Sequence, residues 1–484
     1  MNAGKPRASR ALVLLAVVAA SATLAQETPT WETSLAEALT NETLTNETLT
    51  NETLANETLA NETLGNETLG NETLAQAWDA ALLGNHDILA AAETVGAARE
   101  QVAAAEALRL PQVTLKSGYT RFDAEPTIES ETQLNIDSST QTVPFEYRIG
   151  ERNSLHYGAM VSLPLYNGGQ TQAVIEAARA RALAATSDRA TQEANTRIAV
   201  AEAYFNVLRA QRGQGVARAH VASLERHQAD IARIHDQGLV PRSDLLAAEV
   251  TLADARQQLL QIENQLRLAE AGYNQLLARP LEQPVRLAEA AVEPVMPGAV
   301  DDWVQRALHQ RPELAALGQQ IDSAGAQVRG AAGSRLPKVG LSTGYLYQDN
   351  GSLEQPGMFA TSVDLAWSLY DGGGAEHLRR SLAHRQAELL RRRDGLRELI
   401  GLQVRRYWLM QQETRQRLAV TRGAIAQAEE NLTATRNGYR EGLARNAEVL
   451  DAEALQLKTR TNHTNATYDA ALATLQLRWA AGEL

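Results

Sequence analysis

The sequence predicts an α+β membrane protein, internally duplicated. Each chain makes a four-stranded contribution to a 12-stranded trimeric β-barrel and adds long coiled-coil helices that build an α-helical tunnel. Three observations predict this fold. The same order of motifs runs twice along the chain. Each half holds two segments of roughly ten to twelve residues with one apolar and one polar face, the length and pattern of barrel strands. Each half also holds a very long helical stretch. The first, from Gln170 to Val240, contains no proline. Roughly 70 residues at 1.5 Å rise make a helix of about 105 Å, far longer than globular domains use.

Composition narrows the function classes. The chain has 484 residues, no cysteine and a net charge of −12. Without cysteine there is no disulfide framework, no thiolate metal site, no thiol nucleophile and no thiol for lipid attachment. The net negative charge argues against nucleic acid as a partner. Residues 1–25 read as a signal peptide. Lys5, Arg7 and Arg10 form its positive start, and Ala11 to Ala20 its apolar run, too short to span a bilayer. The cut falls after Ala22 or Ala25. No other stretch has about 18 uninterrupted apolar residues, so any membrane segment must be a strand.

Residues 26–75 form an acidic low-complexity segment. Its second part, 41–75, is seven copies of Asn-Glu-Thr-Leu-x. Leucines five apart step by 140° around a helix and alternate faces on a strand, so neither element is built by them. The block is expected to be disordered or weakly structured. Each copy is also an Asn-x-Thr sequon, read here as a by-product of repeat expansion. The signal peptide contributes +3, residues 26–40 −3 and the repeat −7, which leaves −5 for residues 76–484.

The first structural repeat is placed at 76–280, a linker at 281–301 and the second repeat at 302–484. Leu110-Pro111-Gln112-Val113 matches Leu336-Pro337-Lys338-Val339 at an offset of 226. Tyr166 matches Tyr370, and Gly238-Leu239 matches Gly442-Leu443, at an offset of 204. The first half therefore carries 22 extra residues between its Leu-Pro and its Gly-Gly. These are expected in a polar loop.

Each half begins with a helix of about 30 residues, near 77–109 and 302–335, stopped at Leu-Pro. A strand follows, with Val113, Leu115, Ser117 and Tyr119 on one face, and Val339, Leu341, Thr343 and Tyr345 in the second half. The next strand carries Tyr157, Ala159, Val161, Leu163 and Leu165 on one face. Its counterpart carries Phe359, Thr361, Val363, Leu365, Trp367 and Leu369. Gly-Gly then opens the long helix, where Gly213-Gln214-Gly215 marks a place for a bend. After Pro241 a second helix runs to about Leu277. Its seam of Leu245, Ala248, Leu252, Ala255, Leu259, Ile262, Leu266, Ala269, Tyr273 and Leu276 alternates steps of three and four, as in a coiled coil. The second half repeats this less cleanly from Ala447. The linker carries Pro284, Pro294 and Pro297 and is expected to have little regular structure.

Four strands cannot close a barrel, and open edges are not tolerated in lipid. Three chains supply twelve strands, an allowed number, and twelve helices around one axis.

The plan resembles the TolC family of outer-membrane efflux proteins over about 76–484. The residues that carry the resemblance are Leu163-Pro164-Leu165-Tyr166-Asn167-Gly168-Gly169 and the related Leu369-Tyr370-Asp371-Gly372-Gly373. With them stand the segments around Asp87 and Glu313 and the hairpins Gly238-Leu239-Val240 and Gly442-Leu443-Ala444. The resemblance implies an outer-membrane homotrimer with a periplasmic extension. It also implies docking to a periplasmic adaptor protein and an inner-membrane pump, in efflux or type I secretion.

No catalytic constellation, metal-ligand spacing or phosphate loop occurs, so neither an enzyme nor a cofactor is expected. The candidate gate residues are Asp244, Glu448 and Asp451. Glu448 and Asp451 share one helix face by their spacing of three. By resemblance, acids at Glu448 and Asp451 ring the periplasmic aperture, with Asp244 close by. The other reading is that these acids stabilise helix N-termini capped by Ser243 or Asn446. Arg242 and Arg445 are either a closed-state lock or solvated charges. The family's tip arginine position is Ala444 here. Gly238, Leu239, Val240, Gly442 and Leu443 are either adaptor contacts or turns packed on their own helices. Trp367, Tyr370, Tyr157 and Tyr166 are barrel-end anchors or core residues, with core packing expected for the two tyrosines beside Gly-Gly. Two other protein classes compete. One is a secreted coiled-coil structural or adhesin-like surface protein; the other is a periplasmic adaptor.

Overall fold

Leu-rich and Ala-rich periodicity gives helices at every expected place, and the period-two segments give strands. The computed structural model describes residues 71–136, 139–289, 298–349 and 355–484. The expected signal peptide and the first six repeat copies lie outside these residues. The first half runs α1 Leu74–Gly84, α2 His86–Ala107, β1 Gln112–Arg121, β2 Thr127–Ile136, β3 Ser139–Arg148, β4 Asn153–Tyr166, α3 Gln170–Asp236 and α4 Arg242–Leu276. The second half runs α5 Val300–Gln310, α6 Pro312–Gly333, β5 Lys338–Gln348, β6 Gly357–Ala366, α7 Gly374–Arg440 and α8 Asn446–Ala481.

The long helices α3 and α7 have 67 residues each. That equality is what the constant offset of 204 requires. Gly213 and Gly215 lie inside α3 without interrupting it.

Each expected 30-residue helix is instead two helices, broken at matching places. The break falls at Asn85 and at Arg311, both extended. Asn85 stops α1 because its Oδ1 accepts from Asp87 N at 3.0 Å and so caps α2. In the second half Pro312 has no N–H to continue α5 and sits at the start of α6, where it is tolerated. Both breaks let a short helix pack across the middle of a long one. Around α1, Ala77, Ala81, Tyr204, Phe205, Tyr273 and Leu277 form one core. Around α5, Trp303, Val304, Ile400, Val404 and Leu477 form another. Each fully buried side chain of the Ile400 kind contributes about 2 kcal/mol.

The sheet order is β1-β4-β5-β6, all antiparallel. The strand in the second half ends at Ala366, so Trp367 and Leu369 fall beyond it. The 22-residue excess is not an open loop. Residues 127–136 and 139–148 form a separate two-stranded ribbon, with Ile128 opposite Tyr147 and Ser130 opposite Phe145. Ile149 N donates to Pro126 O at 3.0 Å, which closes the ribbon's base.

The seventh repeat copy, residues 71–75, is part of the fold, so the expected boundary at residue 75 falls inside α1. Thr73 and Gln76 form a capping box on α1. Glu72 bridges Leu287 in parallel, so the linker is tied down at its start. Arg279 donates twice to the Glu72 carboxylate, at 2.7 and 3.0 Å, and the Tyr273 hydroxyl donates at 3.0 Å. The Tyr204 hydroxyl lies between the carbonyls of Glu72 and Ala288. Burial pushes that phenol up to about 12, so it remains a donor.

Excision of residues 127–148 is expected to leave the four-stranded sheet and the assembly intact, because Pro126 and Ile149 already meet. Circular dichroism and native mass spectrometry check this; loss of the oligomer on excision contradicts it.

Candidate functional site

The site has two parts, a sheet at one end of the helices and two hairpins at the other. In the sheet the register puts one set of residues on one face. On β1 these are Val113, Leu115 and Tyr119; on β4 they include Tyr157, Val161 and Leu163. Leu341 and Tyr345 of β5 lie beside Val363 and Phe359 of β6. Val113, Leu115, Phe359, Val363 and Leu365 are 60–79% exposed, a water-facing exposure that five large apolar residues rarely share. The opposite face carries Gln112, Thr114, Lys116, Ser162, Ser342, Ser362 and Asp364. The outer strands β1 and β6 have no neighbour beyond them among the described residues. No described helix is long and apolar enough to cross a membrane.

The strand-to-helix motifs follow the sheet. Pro164, Leu165 and Tyr166 sit at a bulge where β4 loses register with β5. Gly168 and Gly169 have positive φ, and Gly169 is the N-cap of α3. A Cβ on Gly168 would stand 2.2 Å from the Gly333 carbonyl, so glycine is required there for space as well as for φ. Gly372 and Gly373 repeat the conformation, and Asp371 accepts from Gly373 N and Ala375 N. Leu369 and Tyr370 are more than 80% exposed or at that value, and Tyr166 is 48% exposed. Neither tyrosine is buried within the chain, so the core packing expected for them is not seen there. Trp367 donates to Arg335 O at 3.1 Å, and Tyr157 stacks on Tyr347.

At the far end the two hairpins are built alike. Gly238 and Gly442 have φ of 73° and 75° and end α3 and α7. Leu239 N returns to Ile234 O, and Leu443 N to Gly438 O, which satisfies the last carbonyls. Leu239 and Leu443 are 71% and 80% exposed, so they do not pack on their own helices. Val240 is half-buried and its carbonyl meets His235 Nδ1.

The expected caps are not used. The N-cap residues are Pro241 and Arg445, and neither makes a side-chain cap bond. Asn446 is buried instead. Its Nδ2 donates to Asp244 O at 3.1 Å, and its Oδ1 meets His227 Nε2 at 2.9 Å. Asp244 is half-buried in the first turn of α4. The side chains of Glu448 and Asp451 are exposed and make no hydrogen bond or ion pair among the described residues. The side chains of Arg242 and Arg445 are also exposed and make no ion pair among the described residues.

The structure adds a network that the sequence reading missed. Glu453, on α8, is 1% exposed. It bonds Arg436 of α7 and Ser223 Oγ of α3, and His220 Nδ1 stands 3.7 Å away, within ion-pair range when protonated. Tyr439 packs its ring edge-on to His227. Four helices thus meet in one polar cluster beside the acids. A signal was present: Glu453 lies four residues after buried Val449, on the apolar seam of α8.

Burial pushes the Glu453 carboxyl up, but His220, Arg436 and Ser223 outweigh it and hold it below the usual range. Burial lowers the His227 imidazole, opposed by Asn446, Glu453 and Asp230 and aided by Arg436. A lowered folded value means that neutral His227 adds stability above its ordinary value of about 6.5, and that this is lost as pH falls through the folded value.

The profile of the family described as "Outer membrane efflux protein" matches residues 77–279 and 303–483. The chain belongs to that family. It is 25% identical over 423 residues to outer membrane protein TolC of Vibrio cholerae, covering 85% of this chain and 90% of that protein. It is 26% identical over 331 residues to the alkaline protease secretion protein AprF of Pseudomonas aeruginosa, covering 66% of each. The solved structure of the channel CusC superposes with a TM-score of 0.72 at 19% identity, covering 85% of this chain and 92% of that one. The chain is an outer-membrane channel with a periplasmic helical extension. A secreted adhesin and a periplasmic adaptor are thereby set aside.

Glu453→Ala is expected to lower stability by about 3 kcal/mol per chain, because it strands Arg436 among packed helices. Glu453→Gln should cost less. Melting of the helical circular dichroism signal checks both, and an unchanged Glu453→Ala melt contradicts the network. Acidification below about 6.5 should lower the wild-type melt, and His227→Gln should flatten that slope.

Proposed function

We propose that three copies of the chain close one twelve-stranded barrel and align their helices into a periplasmic tunnel that conducts passively out of the cell. The observation that carries this reading is a sheet face rich in large exposed apolar side chains, bounded by two strands each with one free edge among the described residues. In lipid such edges must be paired, and pairing β6 of one chain with β1 of the next keeps the strands alternating in direction.

Conduction is gated at the tip. Glu448 and Asp451, on one exposed face, form two stacked carboxylate rings in the trimer and favour cations. Asp244 lies nearby and is held through its backbone by Asn446. The polar cluster around Glu453 fixes α3 against α7 and α8, which sets the width of the opening. Exposed Leu239 and Leu443, on turns shaped by Gly238 and Gly442 and flanked by Val240, offer an apolar contact to a periplasmic adaptor. The adaptor links the duct to an inner-membrane pump. A family named for efflux and a relative named for protease secretion support one duct serving either kind of system.

The double variant Glu448→Ala and Asp451→Ala is expected to reduce cation selectivity in planar bilayers and to raise the trivalent-cation concentration for half-block about tenfold. Unchanged selectivity and block would remove the gate and leave the acids as partners of the α8 dipole.

A further inference from the structure

The last turns of α3 and α7 enclose a cleft of about 720 Å³ beside the polar cluster. Four arginines line it: Arg226 and Arg233 from α3, and Arg436 and Arg440 from α7. Arg226 and Arg233 are seven apart, and Arg436 and Arg440 four apart, so each pair shares a helix face. The cleft's one carboxylate, Asp230, is engaged by Arg233. Arg436 is paired with Glu453 behind the wall. Arg226 bonds only the Ala222 carbonyl of its own helix, at 3.1 Å, and Arg440 has no acidic partner among the described residues. Two positive charges are therefore uncompensated.

The Tyr439 ring walls the cleft, while its hydroxyl is buried away from solvent. His227, kept neutral by its surroundings, adds no charge but completes the wall. The cleft's lining thus offers guanidinium donors and no unpaired acid. A metal cation is excluded by the charge. The complement is an oxyanion with two or more charges, which guanidinium groups bind through paired hydrogen bonds.

We propose that this cleft is a binding site for a multivalent oxyanion of the pyrophosphate or phosphate-ester class, bridging α3 and α7. The volume exceeds that of a single phosphate and suits a two-phosphate or sugar-phosphate group. Arg226 lies 56 residues along α3 from its start, roughly 85 Å from the sheet at 1.5 Å per residue, so membrane headgroups at the sheet cannot supply the anion. The ligand comes from solution. This inference stands on the cleft alone and does not depend on the gate.

Isothermal titration calorimetry on the full-length oligomer, with sodium pyrophosphate in chloride buffer at constant ionic strength, tests it. One site per chain is expected. The double variant Arg226→Gln and Arg440→Gln should weaken binding about tenfold or more, with an unchanged melt in the absence of ligand. Arg391→Gln, on an exposed part of α7, should bind like wild type. In the wild-type protein, pyrophosphate should protect Arg226 and Arg440 from phenylglyoxal, read by peptide mass spectrometry. Absence of binding, equal binding by the double variant, or equal labelling with and without pyrophosphate would each overturn the proposal.

Discussion

A peptide N–H or C=O in hydrocarbon has no water to bond, and each one left unpaired costs several kcal/mol. The four-stranded sheet of this chain has two such rows, along β1 and β6. Its apolar face cannot remain in water and its edges cannot remain in lipid. Both demands are met together when copies of the chain join edge to edge. The antiparallel order β1-β4-β5-β6 means that β1 and β6 run in opposite directions, so a ring of identical chains continues the pattern without a break. The stoichiometry of the helices is then inherited from the barrel.

Duplication gives the two hairpins matching helices. Because α3 and α7 are both 67 residues long, their hairpins lie the same length of helix from the two Gly-Gly turns. Equal length alone does not hold the two halves together. Buried Glu453 does so near the tip, and Asp469 of α8 does so higher up, where it pairs with both Arg209 and Arg417. Each acid stands between arginines or hydroxyls of helices from both halves. Polar clasps of this kind fix register at a cost in desolvation, and they can be released by a change of charge, which apolar packing cannot. The arginine-lined cleft adjoins the lower clasp.

Much of this was legible in the sequence, for a definable reason. Strand alternation, the three-four seam of α4 and the two offsets are periodic signals, and the faces of the strands follow from them. The seam residues Ala248, Leu252, Ala255 and Tyr273 are buried as their spacing requires. What was not legible depended on contacts between distant segments. The 127–148 ribbon reads as polar because neither of its faces enters a core. Glu72 looks like one of seven identical glutamates, and only Arg279 and Tyr273, some 200 residues on, distinguish it. Ser243 and Asn446 suit a cap by type, yet the extended Pro241 and Arg445 take those places and Asn446 turns inward. The acids near the hairpins were singled out by spacing and resemblance, whereas the one sequence signal for Glu453 is its place on the apolar seam of α8.

The central claim is that β6 of one chain pairs with β1 of another. The absence of native cysteine makes it directly testable. Thr361→Cys on β6 can be combined in turn with Val113→Cys, Leu115→Cys or Ser117→Cys on β1, and the protein oxidised in outer-membrane fractions. The account predicts that at least one pair gives a covalent ladder ending at the trimer on non-reducing gels, while the single-cysteine variants do not. Monomers alone from every pair, or a ladder that continues past three, would contradict it.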